Sequence, residues 1–208
     1  MALDLEEQDQ LDALKTWWKT NGNKVLIVVG VAAAVVIGYQ GWKQYQVQQS
    51  QAASEKFMIL GDTSPTDVET IKTLSAEIME NYPSTPYAAR AALLSAKTNY
   101  NAKDIDSAKL QSEWAYKNAK EEAVKTLAQL QLAGILFEQK DYDAALKLVN
   151  EKHEPSFDAL FADLKGDILV AQNKPEEAKI AYQEAIKAFE FGSRYARYTQ
   201  HKLEALGE

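Results

Sequence analysis

AKDIDSAK at Ala102–Lys109, QKDYDAAL at Gln139–Leu146 and NKPEEAK at Asn173–Lys179 are three variants of one phrase. Each carries a lysine and a turn-like element, then acids, then an alanine. The alanines, Ala108, Ala145 and Ala178, stand 37 and 33 residues apart. Twelve positions before each lies another small residue: Ala96, Ala133 and Gly166. Small residues paired in this way describe two helices that cross at close range, where only glycine or alanine fits between the backbones. Larger apolar residues fill the remaining contact: Leu136, Phe137, Leu146 and Val149 in the second unit, Leu169 and Tyr182 in the third. Asp104, Asp141 and Pro175 suit the start of the second helix of each pair, as N-cap or first-turn residues.

A helix–turn–helix unit that recurs roughly every 34 residues has the tetratricopeptide period. The match weakens toward the N-terminus, where polar Asn99 and Ser112 hold positions that are usually apolar, and Lys165 stands where leucine would precede Gly166. Three divergent repeats is the reading adopted; a non-repeating helical bundle is the alternative. Ahead of the repeats, Pro65 to Tyr82 carries Val68, Ile71, Leu74, Ile78 and Met79 on one face, with Ser64-Pro65 as start and Pro83 as stop. Behind them, Tyr195 to Leu206 forms a terminal helix in which Tyr198 and Leu203 are expected to cap the stack, since an end repeat otherwise exposes its apolar face.

The hydrophobic residues concentrate in one run. Val25 to Trp42 (VLIVVGVAAAVVIGYQGW) has 18 residues without charge or proline. As a helix it measures about 27 Å, against a bilayer core of about 30 Å. Lys24 and Lys43 bracket it, and Trp17, Trp18, Tyr39, Trp42 and Tyr45 supply an aromatic belt. The preceding residues include Asp4, Glu6, Glu7, Asp9 and Asp12, and the run ends in bulky Tyr-Gln-Gly-Trp-Lys. Both features differ from a cleaved signal peptide, so the run is read as a retained anchor. Lys15, Lys19 and Lys24 before it outnumber Lys43 and Lys56 after it, which favours a cytoplasmic N-terminus. Gly30, Ala34, Gly38 and Gly41 share one side of the span, a flat stripe on which another membrane helix could dock, although such residues are common in any membrane helix.

The expected fold is therefore all-α, one N-terminal transmembrane helix followed by a tetratricopeptide-like helical repeat domain. Residues 1–24 form an N-terminal segment with a short amphipathic helix (Leu11, Leu14, Trp17, Trp18) that stops at Asn21-Gly22-Asn23. It either lies on the membrane surface or docks on a partner. Residues 25–42 span the membrane, 43–63 make a stalk helix and linker, and 64–208 make the repeat domain. A chain of 208 residues with net charge −7 lacks the positive field that nucleic acid requires. Without cysteine it has no disulfide, thiol nucleophile or cysteine-held metal. His153-Glu154 begins like a zinc-peptidase motif, but Phe157 and Pro155 break it, and His201 is the only other histidine. No phosphate-binding loop or nucleophile elbow is present. The reading is a non-enzyme without metal or cofactor.

The stub QLDALKTWWKTNGNK (Gln10–Lys24), the single span and the segment ADLKGD (Ala162–Asp167) together resemble the YfgM family, ancillary subunits of the bacterial SecYEG translocon. The resemblance covers nearly the whole chain. It implies an inner-membrane protein with a periplasmic domain. Its implied partners are the translocon, a PpiD-type membrane-anchored chaperone and newly exported unfolded chains. In tetratricopeptide arrays the first helix of each pair lines the concave face. Carried onto this chain, that face offers Arg90, Lys97, Tyr100 and Asn101 from the first unit, Phe137 and Glu138 from the second, and Asp163 and Asp167 from the third. An adaptor or regulator of another cell-envelope system would use the same architecture.

Overall fold

Lys103, Lys140 and Asn173 hold left-handed backbone, with φ of 68°, 63° and 61°. They come from a computed structural model that describes residues 2–190 and 192–207. Their spacing repeats that of the alanines. The residue after each one sends its N–H back to a carbonyl five positions earlier: Asp104 to Asn99, Asp141 to Leu136 and Lys174 to Leu169, each at 2.9 Å. This turn satisfies the last carbonyls of one helix and reverses the chain. The next helix starts at once. Asp104 accepts from the Ser107 N–H and Asp141 from the Ala144 N–H, while the third pair uses Pro175 in its first turn.

The chain divides into two compact units, one ending at Gln48 and the other beginning at Gln49. Helix α1 runs over Ala2–Asp62. It continues through Asn21-Gly22-Asn23, where a stop was expected. The polar side chains there fold back onto their own helix: Thr16 bonds the Asp12 carbonyl, Thr20 that of Thr16, and Asn21 that of Trp17. Gly22 is buried beneath the Trp18 indole, which shields the backbone that a glycine would expose. The apolar run of α1 is exposed on every side, as in Val28 at 67% and Ile37 at 70%. A core helix of a water-soluble protein would be buried, so this one is built for a lipid environment.

The second unit contains the last turns of α1, then α2 (Val68–Asn81), α3 (Pro86–Asn101), α4 (Ile105–Asn118), α5 (Glu122–Glu138), α6 (Tyr142–Asn150), α7 (Asp158–Ala171), α8 (Pro175–Ala188) and α9 (Arg194–Ala205). A 3₁₀ turn at Pro155–Phe157 precedes α7. No strand occurs among the described residues. From α2 onward each helix packs on the next, and α3 touches α5 as α5 touches α7, so the first helices of successive pairs form one row.

Two boundaries and one buried position differ from expectation. The stalk and linker assigned to 43–63 belong in part to the domain. Leu60 is buried with Ile71, Ile78, Ala88 and Ala91, Phe57 meets Tyr87 at 5.5 Å, and Lys56 pairs with Glu77 at 2.6 Å. The end of α1 thus places side chains against α2 and α3. Helix α2 starts at Val68, capped by Asp67, and not at Pro65, because Ser64 and Thr66 bond each other in a turn that removes them from the helix. In α9 Leu203 is buried, but Tyr198 is 65% exposed and Thr199 takes the inward place at 1%.

Ala96, Ala108, Ala133, Ala145 and Ala178 are all fully buried at the crossings. Gly166 is the tightest, since a Cβ there would lie 2.3 Å from the Tyr182 ring. The degraded first pair carries a polar core: Asn99 donates to Gln111 at 2.8 Å, while the hydroxyls of Ser95 and Ser112, and of Ser75 on the adjoining α2, have no hydrogen-bond partner among the described residues. Between pairs, the Tyr116 hydroxyl donates to Glu151 at 2.7 Å. Burial, assisted by that carboxylate, pushes the Tyr116 phenol up from 10.0 to about 12.

Two predictions follow from the packing. Gly166→Ala destabilises the detergent-solubilised chain by about 1–3 kcal/mol in urea denaturation, an overpacking cost. Gly134→Ala, where a Cβ meets nothing within 4 Å, stabilises it by about 0.5–1 kcal/mol through backbone entropy alone. The phenol gives a third. The unfolded chain ionises Tyr116 near its ordinary value while the folded chain keeps the proton, so this contribution is intact below pH 10 and is lost as pH rises toward 12. Across that window Tyr116→Phe flattens the fall in stability measured by denaturation.

Candidate interaction groove

The row of first helices presents one shared cleft of about 460 Å³. Helix α3 contributes Lys97, Tyr100 and Asn101, spaced three and four apart on one face. Helix α5 contributes Gln131, Gly134, Ile135, Phe137 and Glu138, and α7 contributes Leu164 and Asp167. Ile135 is buried at the base, and Phe137 is fixed against Tyr142 with ring centroids 6.0 Å apart. Gly134 leaves space where any side chain would fill it. The rim is polar. The Tyr100 hydroxyl donates to Glu138 and links α3 to α5, and that bond holds the phenol above its ordinary range. Lys97 is exposed beside it.

Six of the eight residues expected on the concave face line this cleft: Lys97, Tyr100, Asn101, Phe137, Glu138 and Asp167. The other two are engaged elsewhere. Arg90 donates to Glu121 at 2.5 Å and braces α3 against the start of α5. Asp163 accepts from Thr199 at 2.7 Å and from Lys202 at 2.9 Å. Asp167 also accepts from Lys202, and from the Tyr182 hydroxyl, both at 2.7 Å. The Lys202 ammonium therefore sits between two carboxylates, 5.6 Å from the Tyr182 ring centre and 5.1 Å from that of Tyr198. Burial works against its charge, but Asp167 and Asp163 outweigh it and raise its pKa. Burial and Asp167 likewise push the Tyr182 phenol far up. The acid pair is thus occupied by Lys202 of α9, and of the two only Asp167 lines the cleft.

Gln131, Gly134, Ile135 and Leu164 were not anticipated. Gln131 and Gly134 lie seven and four residues before Glu138, so extending its helical face backward would have found them.

A second cleft of about 330 Å³ includes Val149, His153, Asp158, Phe161, Lys165 and Glu184. His153 stacks on Phe161 with centroids 3.9 Å apart, and its ring nitrogens lie 2.9 Å from the Glu151 carbonyl and 3.1 Å from Asp158. His153 acts here as a packed joint between α6 and α7. Among the described residues no three acids or histidines converge as a metal site would require. In the membrane helix, Gly30, Gly38 and Gly41 have no neighbour within 4 Å, and Ala34 is exposed.

Comparison with known proteins agrees with this architecture. A family model described as a tetratricopeptide repeat-like domain matches residues 15–208. An ancillary SecYEG translocon subunit of Neisseria gonorrhoeae is 31% identical over 99% of this chain and 100% of its own length. A protein of the same name from Haemophilus influenzae is 28% identical, covering 89% of this chain and 91% of the relative. Another from Escherichia coli is 24% identical, covering 88% of each. With the repeat geometry, the lipid-suited helix and these full-length matches together, the chain belongs to the YfgM family of ancillary SecYEG translocon subunits.

Proposed function

We propose that this protein is a membrane-anchored interaction scaffold associated with the SecYEG translocon, which holds a periplasmic chaperone or a newly exported chain in its groove. The observation that carries this reading is the open cleft shared by α3, α5 and α7 on a chain whose full-length relatives are named translocon subunits. Residues 1–24 face the cytoplasm, 25–42 cross the inner membrane and the helical pairs occupy the periplasm. Gly30, Ala34, Gly38 and Gly41 form the face that meets a partner's membrane helix. The groove, with an apolar base and a polar rim, suits an extended segment or a helix of a PpiD-type chaperone. Nothing in this role calls for turnover. Anchoring raises the local concentration of the domain beside the exit site without adding contacts, so weak groove binding suffices and release stays fast.

The absence of cysteine makes topology directly testable. In intact spheroplasts a membrane-impermeant maleimide labels Lys109→Cys and spares Gln8→Cys; the reverse pattern overturns the orientation. Photocrosslinkers at Gly30, Ala34 and Gly38 capture a translocon or chaperone membrane helix, whereas capture only from Val29 and Val36 on the opposite side sinks the docking face. Gly134→Leu plugs the groove, so the chaperone is lost from a mild-detergent purification while Sec components remain. Recovery of a cell-wall synthase or a stress-response enzyme in place of Sec components would establish the adaptor reading.

A further inference from the structure

Helix α1 carries an apolar cleft of about 300 Å³, lined by Trp17, Asn21, Lys24, Val25, Val28 and Val29. These residues recur at three- and four-residue steps, so they form one face of the helix. The cleft straddles the point where charge stops, since Lys24 is the last charged residue before the run that ends at Trp42. Its lower part consists of valine side chains, Val25 half-buried and Val28 and Val29 open at 67% and 57% exposure. Its upper part offers an indole and an ammonium.

The charges around the helix are unequally satisfied. On the far side Lys15 is paired with Asp12 at 3.0 Å, and Lys19 has no carboxylate within ion-pair distance among the described residues but lies outside the apolar cleft. No carboxylate among the described residues lies within ion-pair distance of Lys24. The Asn21 amide N–H is spent on the Trp17 carbonyl. It holds the side chain against the helix and leaves Lys24 as the free cation of this face. A ligand that matches the cleft therefore carries an anion one helical turn from a long hydrocarbon chain. Free phosphate would leave the valines uncovered, and a fatty chain alone would leave the ammonium unpaired.

We propose that this face binds an anionic phospholipid. Its phosphate diester contacts the Lys24 ammonium, its acyl chain lies along Val25, Val28 and Val29, and Trp17 packs at the glycerol level. A zwitterionic lipid fits less well, because its own ammonium adds a second cation beside Lys24 while the cleft supplies no carboxylate. The site goes beyond translocon association and does not depend on it.

Trp17 is the natural reporter. In a full-length chain with Trp18→Phe and Trp42→Phe, Trp17 is the only tryptophan left in residues 1–48. This protein is reconstituted into vesicles of two compositions at the same anionic fraction. One contains acyl-brominated phosphatidylglycerol in plain phosphatidylcholine; the other contains plain phosphatidylglycerol in phosphatidylcholine of which an equal mole fraction is acyl-brominated. Quenching of Trp17 by the brominated anionic lipid is expected to report enrichment of about fivefold over the zwitterionic one, the scale of one interfacial lysine. Lys24→Gln abolishes the difference, Lys24→Arg retains it, and Lys19→Gln on the opposite side leaves it unchanged. Equal quenching by the two lipids in the Lys24 protein, or a preference that survives Lys24→Gln, overturns the proposal.

Discussion

Two helical backbones come within touching distance only where neither presents more than a methyl group. In this chain buried small residues stand at Ala96 and Ala108, Ala133 and Ala145, and Gly166 and Ala178, the tightest being Gly166, which lies against the Tyr182 ring. Close crossing fixes the angle within each pair, and a left-handed residue at Lys103, Lys140 and Asn173 sets the turn that precedes it. Neighbouring pairs stack, and their first helices α3, α5 and α7 form one row. The cleft exists because that row is slightly open over α3, α5 and α7. Function in such an array therefore depends on the fidelity of its crossings rather than on any one polar side chain.

Much of this was legible in the amino-acid sequence, for reasons that are local. A period of roughly 34 residues, an uncharged run of 18 and N-cap aspartates all act over a few turns of helix, and their physical meaning hardly depends on context. Expectations failed where a neighbour changed the outcome. Asn21-Gly22-Asn23 has the composition of a stop, but Trp18 covers the glycine and Asn21 bonds back along the helix. Ser64-Pro65 looks like a start, yet a hydroxyl pair holds it in a turn. Tyr198 had the apolar bulk for the interior, and Thr199 took it because Asp163 waits there, 36 residues earlier in the chain.

The same distinction holds for the groove. Lys97, Tyr100, Asn101, Phe137, Glu138 and Asp167 could be assigned to one face because helical spacing places them there. That Arg90 and Asp163 would be taken by Glu121 and by α9 could not, since both depend on contacts between segments more than 30 residues apart. The open site is thus smaller and more apolar than a list of exposed charges suggests. Its best-formed part is the base beneath Gly134, beside Ile135 and Phe137.

Lys202 has a further consequence. By seating its ammonium between Asp163 and Asp167, α9 ties itself to α7 and takes up both acids. Without the Lys202 charge the two carboxylates would face each other unscreened, so this one ammonium is the electrostatic latch between the last helix and α7.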